Sequence, residues 1–549
     1  MQVACLAAIL FVVDQRAAIL VHFADTMSVS KISSHGIVRS VIFFSDMRIT
    51  GTAGVSAAQV IVFMVSVLLA EAPPEDRWLW LEEVDGINAL AWVNGQNART
   101  AAELKSKPEF QPLYEQAPDT LNSASRIPDV DQRGQWLYNL WRDAEHPRGI
   151  YRRTTLEEFR KEEPKWEIVI EPTANEIIES VVPTKNSILV ETLQNVRARL
   201  YHFDYSNTNP KKSLIPFPDN GAIDIKSADD QTGNFFVKFE TFITPPALYF
   251  VSAGDVGASR APLQPEKMKS QKQAFDGSKF EVQQFWTTSK DGTKVPYFIV
   301  MKKGMPPDGK NPTHIFSYGG FRNSLTPSYS GSYEELSGAY GKLWLERGGV
   351  FVLANIRGGG EFGESWHRAA LRENHVKAFE DFEAVARDLF ARKITSPEHL
   401  GIEGRSNGGL LVMALITRHP ELYGAVICGS PLVDMLRYHK LLAGASWIAE
   451  YGDPDVPADR KFLETYSPYQ LLKKGRKYPP IFFYGSTRDD RVHPGHARKA
   501  TARMLELGYT DTYYYENTEG GHGASSTNEQ LAYRLALAYT HLWQRLRSM

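Results

Sequence analysis

The sequence predicts two kinds of fold in one chain, a doubly wound α/β domain in the carboxyl-terminal half and an antiparallel β domain before it. Three observations carry this. The chain has 549 residues, beyond the roughly 250–300 at which a single hydrophobic core stops growing. From about residue 280 onward, short apolar runs alternate with stretches of helical periodicity, the pattern of a mostly parallel sheet covered on both faces. From about 128 to 265 the runs are short and alternating, separated by Asn, Asp, Gly and Pro clusters, the pattern of antiparallel strands.

Composition agrees with a packed globular protein, since apolar residues make up 43% and charged residues 23% of the chain. The formal charge of -2 gives no reason to expect nucleic acid or an anionic membrane as partner, because both require clustered Lys and Arg. Two cysteines, Cys5 and Cys428, imply no disulfide framework.

Residues 1–46 read as an upstream segment with no stable role. Their apolar patches, Ala7 to Val13 and Ala17 to Val21, offer a second membrane-associated helix as the alternative. Residues 47–72 resemble a signal peptide: Met47-Arg48 supplies a start and a positive charge, VIVFMVSVLLA is too short to cross a bilayer, and Ala70-Glu71-Ala72 is a small-x-small cleavage site. The expectation is a secreted or periplasmic protein without a stable membrane span, with cytoplasmic residence as the alternative.

Residues 73–127 form an N-terminal arm, in which DRWLWLEEVDGINALAWVNGQNARTAAELK has helical spacing and packs on a later domain. Residues 128–270 hold strands such as QWLYNLW, SILVETL, ARLYHFDY and ALYFVSAG. That length accommodates about three blades of four strands, short of the roughly four to eight that close a propeller ring.

Residues 271–549 carry the α/β pattern: THIFSY, GVFVLANI, a helix around His375 to Arg392, LGIEG, a helix from Asn407, PIFFYGS, a helix through Ala497 to Leu507, DTYYYEN and a closing helix from Asn528 to Arg545. LGIEGRSNGG passes from strand to helix and holds G-x-S-x-G centred on Ser406, the setting of a nucleophile elbow. Gly404 and Gly408 remove side chains that would collide at such a turn. The helix that follows aims its first amides at a developing oxyanion, which makes the N–H of Asn407 a candidate donor. Asp489, in PIFFYGSTRDD, and His522, in TYYYENTEGGHG, come later in the Ser, Asp, His order of α/β-hydrolases, each after a strand. In that arrangement His522 deprotonates Ser406, and Asp489, with Asp490 as the rival acid, orients the imidazole.

Several consecutive blocks carry a more specific resemblance. They are PPEDRWLWLEEVDG in the arm, then SKDGTKVPYFIV, SYGGF, ANIRGGGEFGESWH, GRSNGGLL, HKLLAGASWIAEYGDP, STRDDRVHPGHARK and ENTEGGHG. Through them the chain resembles the prolyl oligopeptidase family of serine peptidases. The resemblance implies an α/β-hydrolase domain with Ser406, Asp489 and His522 as triad and the phenol of Tyr318 as second oxyanion donor. It also implies a pocket in which Trp447 stacks on the proline before the scissile bond, with Phe321, Tyr451, Val492 and Leu432 around it and Arg491 donating to a substrate carbonyl. No metal or cofactor is implied, and the expected partner is a short proline-containing peptide as substrate of a monomer. Family members carry a closed propeller that filters substrates by size, whereas 128–270 is an incomplete one, with the break near Trp166 to Glu171. A broader esterase or acyl-peptide hydrolase, and a catalytically silent binding protein, therefore stand as alternatives.

Overall fold

The computed structural model describes the strands within 9–51 and residues 76–547, apart from 85, 115–129, 134–135, 142–149, 171–179, 186, 205–210, 253–262, 332–336 and 363. The signal-like run at 60–72 lies outside the described residues. The chain divides at Arg77 into two compact units.

In the first unit Ile9–Asp14, Ala17–Phe23 and Met47–Gly51 form a three-stranded antiparallel sheet, and Ser28–Ser34 pairs with Ile37–Phe43. The apolar patches that the sequence offered as a helix are thus extended. The runs are rich in the β-branched types Val and Ile, a composition that favours strand over helix.

The second unit opens with the arm, which is two pieces rather than one helix. A short turn of helix, Leu79–Glu82, is separated from Ile87–Lys105 by Gly86 in extended conformation. Ala89, Val93, Thr100 and Leu104 recur at intervals of four or seven residues and form the buried face of the longer helix. That face lies on Thr512–Asn517, the last strand of the large sheet. There Thr100 Oγ1 bonds both the N–H and the C=O of Tyr514 at 2.9 and 2.8 Å, and the Asn97 amide bonds both backbone groups of Glu516 at 2.7 and 2.9 Å. The arm is pinned further by Glu82, which meets Lys499 at 2.8 Å and Arg437 at 2.8 Å. Burial pushes this carboxyl up, but the hydrogen bonds from Arg437 and Lys499 outweigh it and bring the group down to about 2.

Residues 131–270 form three separate antiparallel sheets of four strands each, spanning Asp131–Ile170, Ser180–Ile215 and Gly221–Ser270. Three is below the number that closes a ring. Leu189 and Leu200 of the second sheet share an apolar cluster with Ile223 and Phe235 of the third, while Leu137 of the first clusters with Phe236 and Leu248 of the third. The spatial order is therefore second, third, first. A propeller ring shows that order when its first and last blades are neighbours and the gap falls after the first blade.

The large sheet has eight strands in the order Phe280–Thr288, Lys294–Lys302, Val350–Ala354, Thr313–Phe316, Leu400–Arg405, Ala425–Gly429, Ile481–Ser486, Thr512–Asn517. The first two are antiparallel to their neighbours and the other six run parallel. This is the α/β-hydrolase domain joined to an incomplete propeller, as the sequence implied. One face is covered by Val376–Ala391, Asn407–Arg418 and Gly495–Glu506, the other by Ala339–Leu343 and Asn528–Leu546, each with its own apolar cluster. Asn407–Arg418 is buried from its first residue to Thr417. Each large apolar side chain so enclosed, among them Leu410, Leu411, Met413, Leu415 and Ile416, stabilises the fold by about 1.5–3 kcal/mol. Cys428 is enclosed in a central strand, and burial pushes its thiol well up, which leaves it inert.

Candidate active site

Strand Leu400–Arg405 lies between Thr313–Phe316 and Ala425–Gly429 near the middle of the sheet and delivers Ser406 at its carboxyl end. Ser406 has φ 60° and ψ −119°, and the helix begins at the next residue. A non-glycine residue held there is strained by about 1–3 kcal/mol and persists only where its surroundings fix it. The fixing groups are in place. Ser406 N–H donates to the Gly429 carbonyl at 2.9 Å, and its own carbonyl accepts from Gly409 at 2.9 Å. A Cβ on Gly404 would stand 1.9 Å from the Gly408 carbonyl oxygen, and one on Gly408 would stand 2.8 Å from that of Ser317. Both glycines are required by close approach.

The loop after Thr313–Phe316 brings Tyr318, whose phenol is hydrogen-bonded to the Ser406 side chain. Burial raises this phenol; the Ser406 bond and the charges of Arg405 and Arg491 pull it down, and Glu450 pushes it up, for a net upward shift that keeps it protonated as a donor. Asn407, first residue of the helix, is tied at both ends of its amide. Nδ2 donates to the Tyr318 carbonyl at 2.5 Å, and Oδ1 accepts from the Tyr451 hydroxyl at 2.7 Å. First-turn N–H groups have no partner within a helix, so the Asn407 amide is chemically suited to an anion.

Asp489 and His522 come from loops after neighbouring strands Ile481–Ser486 and Thr512–Asn517. His522 Nδ1 lies 2.8 Å from Asp489 Oδ2 and 3.0 Å from Oδ1. The Asp489 carboxylate also accepts backbone N–H groups of Arg491 and Val492, both at 2.9 Å. Its neighbour Asp490 is exposed, so of the two aspartates only the first is buried and held against the histidine.

Of the residues matched to the pocket, Phe321 joins Trp447 and Tyr451. The Phe321 ring stands edge-on to Trp447 and to Tyr451, with centroids 6.4 and 5.6 Å apart. Leu432, Val492 and Tyr451 are buried in one apolar cluster against which Trp447 packs. Arg491 is exposed, close enough to the Tyr318 phenol for its charge to act on it. Sequence reasoning passed over Glu450, His367 and Glu361. Glu450 bonds Phe321 N–H and His367, both at 2.8 Å. A carboxylate at the end of the run ASWIAEY was the available signal, because a charge among apolar residues stays only if paired. Glu361 is fully buried, accepts from Leu325 N–H at 3.0 Å, and is pushed up to about 7 by burial against those hydrogen bonds.

One group of metal-capable side chains is found among the described residues, His439, Asp453 and Asp455, with their donor atoms within 4.8 Å of one another. Lys440 already neutralises Asp455 at 3.0 Å, and the cluster shares no residue with the site above. Among the described residues no helix is long and apolar enough to cross a membrane.

Comparison with known proteins places this geometry. Residues 337–548 match the prolyl oligopeptidase family, and 69–172 and 158–255 match the N-terminal β-propeller domain of prolyl oligopeptidase. The two propeller matches overlap over 158–172, the stretch in which the sequence predicts a break, near Trp166 to Glu171. An uncharacterized peptidase of Sinorhizobium fredii is 44% identical over 379 residues, 69% of this chain and 50% of that protein. A prolyl endopeptidase of Elizabethkingia miricola is 32% identical over 448 residues, 81% of this chain and 59% of that protein. The chain thus spans about half the length of the curated relatives it matches. Among solved structures, a post-proline cleaving enzyme from Rickettsia typhi superposes with a TM-score of 0.71 at 23% identity, over 86% of this chain and 99% of that one. A prolyl endopeptidase structure gives a TM-score of 0.60 at 31% identity, over 76% of this chain and 59% of that one. The chain belongs to the prolyl oligopeptidase family.

Proposed function

We propose that this chain is a serine peptidase that hydrolyses short peptides on the carboxyl side of proline through an acyl-enzyme on Ser406. The observation that carries the reading is the strained Ser406 with the Tyr318 phenol on its side chain, in a chain whose His522 and Asp489 are hydrogen-bonded. In this reading His522 takes the Ser406 proton as Oγ attacks the scissile carbonyl. Asp489 fixes the imidazole tautomer and stabilises the imidazolium. The oxyanion takes hydrogen bonds from Asn407 N–H and the Tyr318 phenol. His522 then gives its proton to the leaving amine, and water repeats the sequence on the ester. Trp447 and Phe321 offer aromatic surface to a proline ring, with the buried Tyr451 beside Phe321; such a ring needs burial without a donor, and the Arg491 guanidinium suits a substrate carbonyl. The naming of the Elizabethkingia relatives as prolyl endopeptidases supports the same specificity.

Three sheets in place of a closed propeller favour a second reading, a hydrolase of broader choice that also accepts simple esters or acyl peptides. The test is reaction with a fluorophosphonate probe, with Ser406→Ala as control, beside turnover of a Gly-Pro-fluorophore substrate. Ser406-dependent labelling with proline turnover supports the peptidase. Labelling with ester turnover alone selects the broader hydrolase, and no labelling of a folded chain selects a silent binding protein. Export rests on the signal-like run at 60–72; a mature chain beginning near Pro73 on amino-terminal sequencing supports it, and a chain retaining Met1 or Met47 removes it.

A further inference from the structure

Glu450 lies one residue before Tyr451 and three after Trp447, on the short helix Ile448–Tyr451, with 5% of its surface exposed. A carboxylate so enclosed needs a partner for each oxygen, and it has them. Oε1 accepts the backbone N–H of Phe321 and Oε2 meets Nε2 of His367, both at 2.8 Å. One side chain thereby joins the loop that carries Tyr318 and Phe321, the helix Glu364–Arg368, and the segment that carries Trp447 and Tyr451.

What Glu450 holds at Phe321 is a backbone that needs holding. Phe321 and Arg322 both have φ 55°, two consecutive residues in the left-handed region that only glycine enters freely. Such a pair survives where neighbouring contacts over-determine it. The turn aims the Phe321 ring edge-on at Trp447 and Tyr451 and leaves the residue 36% exposed. We propose that Glu450, oriented by His367, is the positioning residue of the substrate pocket: it locks the left-handed turn at Phe321 and so sets selectivity for the residue before the scissile bond. This rests on the peptidase reading above and adds to it a determinant that itself touches no substrate.

The same carboxylate acts on the site at longer range. Burial raises both the Tyr318 and the Tyr451 phenol, and the Glu450 charge pushes each further up, which favours the protonated, donating form of both.

The test is steady-state kinetics on Gly-Pro-fluorophore, Gly-Ala-fluorophore and p-nitrophenyl acetate with wild type, Glu450→Ala, Glu450→Gln and His367→Ala. In Glu450→Ala, KM for Gly-Pro-fluorophore is expected to rise about tenfold while kcat falls less than about threefold, the signature of lost binding rather than lost chemistry. Turnover of the acetate, too small to fill a pocket, is expected to change by less than about threefold. Glu450→Gln keeps an acceptor for Phe321 N–H and is expected to restore KM to within about threefold of wild type. An alanine variant with wild-type KM, equal loss on amide and acetate, or a glutamine variant as impaired as alanine would overturn the assignment. If Glu450→Ala does not fold, His367→Ala decides, since an unchanged KM in that folded variant refutes the pairing role. Failure of the proline reading is seen separately, in wild type turning over Gly-Ala as well as Gly-Pro; KM for whichever amide is turned over still judges Glu450. Where no amide is cleaved, protection of Ser406 from fluorophosphonate by acetyl-prolinamide reads the same pocket, and Glu450→Ala is expected to weaken it about tenfold. A wild-type chain that takes no label overturns both readings.

Discussion

The hydroxyl of Tyr451 donates to Oδ1 of Asn407 at 2.7 Å, linking the aromatic pocket to the first residue after the candidate nucleophile. Both groups are buried. Tyr451→Phe keeps the ring and leaves a buried acceptor without its donor, a loss of about 1–3 kcal/mol. We expect earlier thermal inactivation and roughly a tenfold drop in kcat/KM, because Asn407 also holds the Tyr318 carbonyl. Activity against temperature and steady-state kinetics on one preparation check both.

Asp489→Asn keeps the shape at His522 but removes the charge that selects the Nδ1–H tautomer. Turnover should fall about 10,000-fold while the fold and substrate KM hold, the loss a wrong tautomer imposes on such triads. Asp490→Asn is the control, and at an exposed position it should change kcat by less than about twofold. Equal effects of the two substitutions would remove Asp489 from its role.

Tyr318→Phe removes the phenol that meets Ser406. Loss of one oxyanion donor costs about 100- to 1000-fold in kcat, and KM should change little because the donor acts on the transition state. Pre-steady-state acylation with an ester substrate isolates that step.

Glu361 tests the electrostatics of the glycine-rich loop. Its folded-state value of about 7 lies above the 4.5 of a free glutamate, so the native state binds a proton more tightly than the unfolded chain. Wild-type stability therefore falls as pH rises from about 4.5 to about 7. Glu361→Gln removes this slope. Its melting temperature relative to wild type should be more favourable at pH 8 than at pH 5, and the same difference at both pH values would refute the assignment.

Much of this was legible because the residues involved have few local alternatives. G-x-S-x-G between a strand and a helix admits one backbone solution, and Gly404 and Gly408 are needed by the closeness of Gly408 and Ser317 carbonyls. The three four-stranded sheets were readable from turn-separated alternating runs together with the length of the region, which has room for about three blades. Strand Ala425–Gly429 was not, because five buried apolar residues have no periodicity to separate strand from core helix. The antiparallel pair Phe280–Thr288 and Lys294–Lys302 went unseen as a unit for a different reason, since its tight turn at Asp291-Gly292 sits in a polar stretch that reads equally as loop. Glu450 was missed because its partners, Phe321 and His367, are 129 and 83 residues away. No local pattern encodes such a contact. The strands of 9–51 were misread since apolar composition alone does not state whether a segment finds a pairing strand.

The side chains of Asn97 and Thr100 complete the hydrogen bonding of a strand made more than 400 residues later. On the ribosome the arm is made more than 400 residues ahead of the strand it covers, so during that interval Val93 and Leu104 lack the strand they pack beside. Docking of the arm on that strand consequently closes a contact across more than 400 residues. A contact of that sequence separation forms slowly by topology, and until it forms the apolar face of the arm is surface open to misassociation.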